Sequence, residues 1–170
     1  MAATPSPAAG VDVRPSGIEG LGLFATRAFA RGEVIRAINV AREITAEAPL
    51  RPELGERRDH CDYPDGKAVL IGYPDRHVNH SCDPSAWVRY REGGSELVAR
   101  RAIPRGAEIT CDYAINVTGG DSWPCHCGAA RCRGTVIGDF FALPEALQRE
   151  YARYLAEWFV RRHRGRLVVR

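Results

Sequence analysis

Apolar positions along the chain alternate more often than they recur at helical spacing. Val11, Val13 and Pro15 bracket polar residues and predict a short strand. Glu33–Ile38 predicts another, and the apolar run from Ala68 to Tyr73 a buried one. Trp87–Arg91 and Glu96–Arg100 alternate on either side of Glu92-Gly93-Gly94-Ser95, a hairpin pattern. A turn at Pro104–Gly106 leads into one more strand ending at Tyr113. Residues 42–62, with Pro49 and Pro52, predict an irregular insert. Only near the end does the period change. Leu147, Tyr151, Tyr154, Leu155, Trp158 and Phe159 recur every three or four residues and predict one helix over 145–163, with Pro144 at its start and Gly165 past its end. Many short strands without alternating long helices predict a mostly β chain with a C-terminal α-helix and exclude a doubly wound fold.

Two stretches break this pattern. Gly17-Ile18-Glu19-Gly20-Leu21-Gly22 packs three glycines into a segment where the backbone must turn sharply or approach something closely. A dinucleotide loop would need a strand before it and a long helix after it. Pro15 and Ser16 precede this one and a turn at Gly32 follows. The second stretch, Arg76–Ser85, follows the buried strand and suits no helix, because Pro84 forbids one and Asn79, Ser81 and Asp83 prefer turns.

Composition narrows the class. A chain of 170 residues is one domain by length, and a net charge of +3 is too small to imply nucleic-acid binding. Lys67 is the only lysine. Avoidance of self-modification and a genome biased towards Arg codons both give this, and the bias is the simpler reading. No basic and apolar leader marks a signal peptide, and no run reaches the ~20 apolar residues of a membrane span. The chain is therefore expected to be intracellular, in the cytoplasm, with residues 1–10 a disordered leader. The end of the helix and the tail carry Arg161, Arg162, Arg164, Arg166 and Arg170, which read as a solvated helix end favoured by the helix dipole.

Six cysteines without a secretory signal point to metal rather than disulfides. Cys125, Cys127 and Cys132 place three thiols within eight residues, beyond the joint at Gly119–Gly120, in a segment too polar to hold itself together. One tetrahedral Zn²⁺ suits them and asks for a fourth ligand. Cys61, Cys82 and Cys111 are the candidates. His126, between two ligands, would point away. Cys82 with His80 also permits a Cys–His nucleophile, although such partners normally meet through the fold rather than two residues apart.

The combination of Asn79-His80-Ser81-Cys82-Asp83-Pro84, then Arg101–Tyr113, then the Cys-x-Cys-x4-Cys run resembles the SET-domain protein lysine methyltransferases with their post-SET zinc tail. Gly20–Ala25 resembles the first glycine motif of that family. The likeness covers about residues 11–135 in the family's order. It implies a β-clip-like SET fold of small twisted sheets, in which the Asn79–Cys82 and Tyr113 segments thread past each other in a pseudoknot. The implied units are a SET domain over 11–118, a zinc tail over 119–138, and the helix and basic tail over 139–170.

The resemblance further implies that S-adenosylmethionine lies against Gly20, Leu21 and Gly22. Arg76, Asn79 and His80 would hold its ends, and Trp123 would cover it. Cys82 becomes the fourth zinc ligand beside Cys125, Cys127 and Cys132. Tyr113 becomes the catalytic tyrosine, which orients the reactants and does not act as the base. Tyr63 and Tyr73 would wall the lysine channel. Cys111 stands where the family has Phe or Tyr and leaves room for di- or trimethylation. Ser85 replaces a usual Asn without touching the chemistry. No cysteine-rich segment precedes the domain, so a compact, bacterial or otherwise minimal member is expected. Its partner would be a protein bearing a lysine, histone or not, added as a strand to a sheet edge. Membrane and direct nucleic-acid partners are not expected, and a homodimer through the aromatic helix face stays open.

Overall fold

The structure is a computed structural model that describes residues 10–168. Nearly all of the expected leader, and Arg170 of the basic tail, lie outside the described residues. β1 (Val11–Pro15) and β2 (Leu21–Ala25) form a hairpin, with Val11 opposite Ala25 and Pro15 opposite Leu21. The Ser16 N–H donates to the Gly20 carbonyl at 2.9 Å. Gly20 closes the turn at φ +46°, a conformation in which a side chain would be strained.

β3 (Val34–Ala37) and β4 (Val40–Glu43) come next. Residues 44–60 then hold only two 3₁₀ turns, Pro52–Leu54 and Arg58–His60, as the prolines predict. The Glu56 carboxylate grips both Arg42 and Arg51 and ties this insert down. β5 (Cys61–Asp62) and β6 (Val69–Ile71) pair with each other, and β6 also pairs with β4, giving the order β4-β6-β5. A 3₁₀ turn at Asp75–His77 delivers β7 (Asn79–His80).

The predicted hairpin is β8 (Ala86–Arg91) with β9 (Gly94–Ala99), joined at its edge by β3. β10 (Glu108–Cys111) is the crossing point. It lies antiparallel to β2 and parallel to β7, with Thr110 opposite Asn79 and Cys111 opposite His80. The two segments that the family likeness pairs do run side by side. β11 (Ser122–Pro124) and β12 (Thr135–Ile137) then frame the cysteine run as a small hairpin.

Burial divides into two clusters. The first packs Leu23, Phe29, Ile35, Leu97, Ile103 and Ile109 between the sheets. Each such side chain contributes ~1.5–3 kcal/mol relative to exposure. The second gathers Ala114, Phe140, Leu147, Tyr151 and Phe159, so the aromatic face of the C-terminal segment is buried inside the chain.

That segment departs from expectation. Instead of one helix over 145–163 there are α1 (Glu145–Tyr151), a 3₁₀ turn at Ala152–Tyr154, and α2 (Glu157–His163). Leu155 and Ala156 between them are extended, with ψ of 138° and 147°. A straight helix would set Tyr151 and Phe159 ~12 Å apart along its axis. The break lets both turn into one cluster around Ala114. It is held by Asn116, whose Oδ1 accepts the Ala156 N–H at 2.7 Å. Among the described residues no helix is long and apolar enough to cross a membrane.

Candidate active site and zinc centre

The β11–β12 hairpin folds the cysteine run back onto the loop after β7. The Sγ atoms of Cys82, Cys125, Cys127 and Cys132 all lie within 4.8 Å of one another. Cys82 and Cys125 are 3.7 Å apart, close to the ~3.8 Å edge of a tetrahedron with Zn–S bonds of ~2.3 Å. Backbone N–H groups point at the sulfurs. Cys82 N donates to Cys127 Sγ at 3.5 Å, Arg133 N to Cys82 Sγ at 3.3 Å and Gly134 N to Cys132 Sγ at 3.4 Å. Such donors favour thiolates, the form a metal needs. The residues therefore fit one structural Zn²⁺.

Of the three candidates for the fourth ligand, only Cys82 joins the cluster. The Cys61 thiol donates to the Arg57 carbonyl, and Cys111 is buried in β10. His80 Nε2 does come within 3.4 Å of Cys82 Sγ, so the Cys–His pair exists. Cys82 is only 1% exposed and is surrounded by the other thiols, which leaves no room for a substrate.

His80 works inward. Its Nδ1 accepts the Tyr113 N–H at 3.2 Å, so Nε2 carries the proton towards Cys82. Burial pushes its pKa down to about 4, against the pull of Asp112 and with help from Arg133. Its imidazole is therefore neutral at physiological pH.

Asn79 is also engaged within the fold. Its Nδ2 reaches the carbonyls of Glu19 and Leu21, both at 3.1 Å, and Glu108 Oε1 at 2.9 Å. Glu108 in turn accepts from Ser16 Oγ at 2.9 and 3.0 Å. It leaves no space beside Gly22, where a Cβ would overlap Oε1. Asn79 and Glu108 thus set the path of the glycine strand. What that strand presents outward is open space at Gly20 and the exposed side chain of Leu21. A flat ligand can lie against such a surface.

Tyr113 stands where these parts meet. Its hydroxyl donates to the Val78 carbonyl at 2.7 Å. Its ring lies 5.3 Å from His80 and 6.4 Å from Trp123, centroid to centroid. Burial raises its pKa well above the ordinary tyrosine value, so it is a neutral phenol and no base. A cleft of about 880 Å³ opens beside it. Tyr63, Arg76, Cys111 and Trp123 line that cleft with Tyr113, whereas Tyr73 does not. Tyr73 sits at the surface against His77 and Arg76.

The motifs did not reveal Asp112. It is buried and accepts two bonds from Arg133, at 2.7 and 3.0 Å, and one from the Tyr151 hydroxyl at 3.0 Å. One carboxylate thereby joins β10, the zinc hairpin and α1. A buried Asp next to the key tyrosine was the available signal, but its partners lie 21 and 39 residues away.

Residues 20–114 match the family model described as the SET domain. The chain belongs to the SET-domain family. Among curated relatives, histone-lysine N-methyltransferase 2B of Homo sapiens is 34% identical over 137 residues, 72% of this chain and 5% of its own length. The H3 lysine-36 specific histone-lysine N-methyltransferase of Candida albicans is 44% identical over 69 residues, 38% of this chain and 8% of its own. Histone-lysine N-methyltransferase ash1 of Drosophila melanogaster is 28% identical over 145 residues, 77% and 6% respectively. The SET chain therefore matches only a small part of each. α1 and α2 lie beyond the family match, yet they supply Tyr151 to Asp112 and Trp158 to the wall of the cleft.

Proposed function

We propose that this SET-domain chain transfers methyl groups from S-adenosylmethionine to the ε-amine of a lysine in a protein, histone or not. The SET domain would occupy 11–118 and the zinc tail 119–138. The observation that carries the reading is the placement of Tyr113. A neutral phenol with a fixed hydroxyl lines a wide cleft, just past the strand that pairs with the glycine strand and 6.4 Å from Trp123 of the cysteine hairpin.

The glycine strand, Arg76 and Trp123 would hold the cofactor, which supplies a methyl group on a sulfonium. A lysine with a pKa of ~10.4 is uncharged in only about one molecule in 2,500 at pH 7, so a dry channel that favours the neutral amine matters. The chain then has mainly to align the amine, and Tyr113 is assigned that part. Cys111, small and lining the cleft, leaves space beside the amine, so di- or trimethylated product is expected. Mass spectrometry that finds monomethyl-lysine alone at saturating cofactor would overturn this.

Transfer of a radiolabelled methyl group to lysate proteins tests the reading. Wild type should label protein, and Tyr113→Phe should lose at least tenfold. No labelling by zinc-loaded, folded wild type would instead leave a zinc-stapled binding module.

A further inference from the structure

Most carboxylates held inside this fold have an arginine. Asp75 pairs with Arg36 at 2.8 Å, Asp112 with Arg133 at 2.7 Å, and Glu56 with Arg42 and Arg51. Glu108 has a hydroxyl and an amide instead. Asp62, at the end of β5, differs from all of these. Its Oδ1 accepts the Tyr63 N–H at 2.8 Å and its Oδ2 the Tyr90 hydroxyl at 2.8 Å. Among the described residues no arginine, lysine or histidine forms an ion pair with it, and burial holds its pKa above the ordinary value with no cation opposing. Yet Asp62 lines the same cleft as Tyr113 and Cys111. Its charge is felt at Cys111, whose thiol is pushed up by burial first, then by Asp112 and Asp62. Across the Tyr90 ring, 6.0 Å away, sits Trp158 of α2, which also lines the cleft. Its Nε1 is buried with no partner. Arg162 of the same cleft is taken by Asp65 at 2.9 Å.

A half-buried carboxylate that lines a cleft and has no counter-charge among the described residues fits a cation that arrives with the substrate. We propose that Asp62, braced by Tyr90, is the specificity-determining subsite that receives the charged ε-ammonium of the target lysine. This rests on the lysine-methyltransfer reading of the cleft. The pairing does not lock the lysine in its non-nucleophilic form. For transfer one N–H bond of the ammonium breaks as an O–H bond forms on the Asp62 carboxylate, leaving a neutral amine beside a neutral acid in a cleft that disfavours separated charge.

The test uses zinc-loaded full-length protein with S-adenosylhomocysteine. n-Butylammonium serves as the lysine side-chain probe and 1-pentanol as its uncharged match. The Tyr63 amide, bonded to Asp62, is the NMR reporter. n-Butylammonium should shift that amide saturably and bind at least tenfold tighter than pentanol. In Asp62→Asn the preference should vanish while the protein stays folded. Equal affinities in wild type would overturn the proposal without any variant. So would a preference that survives Asp62→Asn, or an Asp62→Asn protein that loses S-adenosylmethionine but not S-adenosylhomocysteine, since the carboxylate would then face the sulfonium. If the ammonium preference holds while wild type transfers no methyl group, the subsite stands and the methyltransferase reading fails.

Discussion

Tyr151→Phe removes one oxygen from the buried junction that joins β10 to the C-terminal segment. The Tyr151 side chain has no exposure, and its hydroxyl donates to a carboxylate that is 3% exposed. A hydrogen bond to a charged partner contributes ~1.5–3 kcal/mol. Asp112 keeps both Arg133 bonds and the Ala114 N–H at 3.1 Å, so it is not orphaned and the lower end applies, ~1.5–2 kcal/mol. For a domain of this size each kcal/mol shifts Tm by ~2–4 °C, which gives a fall of ~3–8 °C. Arg133→Met is the contrast. It leaves the same carboxylate buried without a cation, at a cost of ~3–5 kcal/mol and thus ~6–20 °C. Thermal and urea unfolding of zinc-loaded protein would measure both. An unchanged Tm for Tyr151→Phe would refute the reasoning. Asp112 would then rest on Arg133 and the Ala114 N–H, and α1 would be held by apolar contact and by the pairing of Glu150 with Arg100 and Arg131.

The remaining predictions address the other parts of the site. Zinc release on thiol modification should give one Zn²⁺ per chain, and Cys82→Ser should lose it; strong chelation should abolish methyl transfer, and full activity in metal-free protein would contradict a structural tail. Glu108→Ala deprives Ser16 and Asn79 of their shared acceptor, at ~1–3 kcal/mol, and frees the glycine strand; calorimetry should show S-adenosylhomocysteine binding at least tenfold weaker. Asp62→Asn should stabilise the protein near neutral pH. The carboxyl is raised above its ordinary 3.8, so the folded state binds more protons than the unfolded one and stability falls as pH rises through the folded-state value. The gain in Tm should therefore shrink as pH is lowered towards 3.8, and a gain independent of pH would mean the carboxylate is not the cause.

Sequence reading succeeded where the signal is local. The β8–β9 hairpin follows from alternation around Gly93 and Gly94, and the zinc tail from three thiols within one turn of chain. It assigned Asn79 and His80 to a cofactor without showing which partners their side chains take within the fold. In the fold both are occupied, Asn79 with the glycine strand and His80 with Tyr113 and Cys82. The sequence pattern identifies such residues without separating those that touch a ligand from those that shape the surface touching it. The helix failed for the opposite reason. Its aromatic spacing is truly periodic, but the segment divides into two helices around Leu155–Ala156, where the Asn116 Oδ1 accepts the Ala156 N–H from 40 residues away.

The residues to which no motif assigned a role share one property. Asp62, Glu108, Asp112 and Trp158 take their meaning from partners brought in by other elements. Asp112 and Asp62 mark the two sides of this. Each is a carboxylate that lines the same cleft as Tyr113, and each is bonded to a tyrosine of, or against, the C-terminal segment beyond the family match. Asp112 is neutralised by Arg133 and acts as a rivet. Asp62 is left without a cation at the edge of an open cleft. Were its lack of a counter-charge only a packing accident, Asn at that position would stabilise the fold at no functional cost. The structure predicts the stabilisation and a loss of ammonium recognition together, from the same substitution.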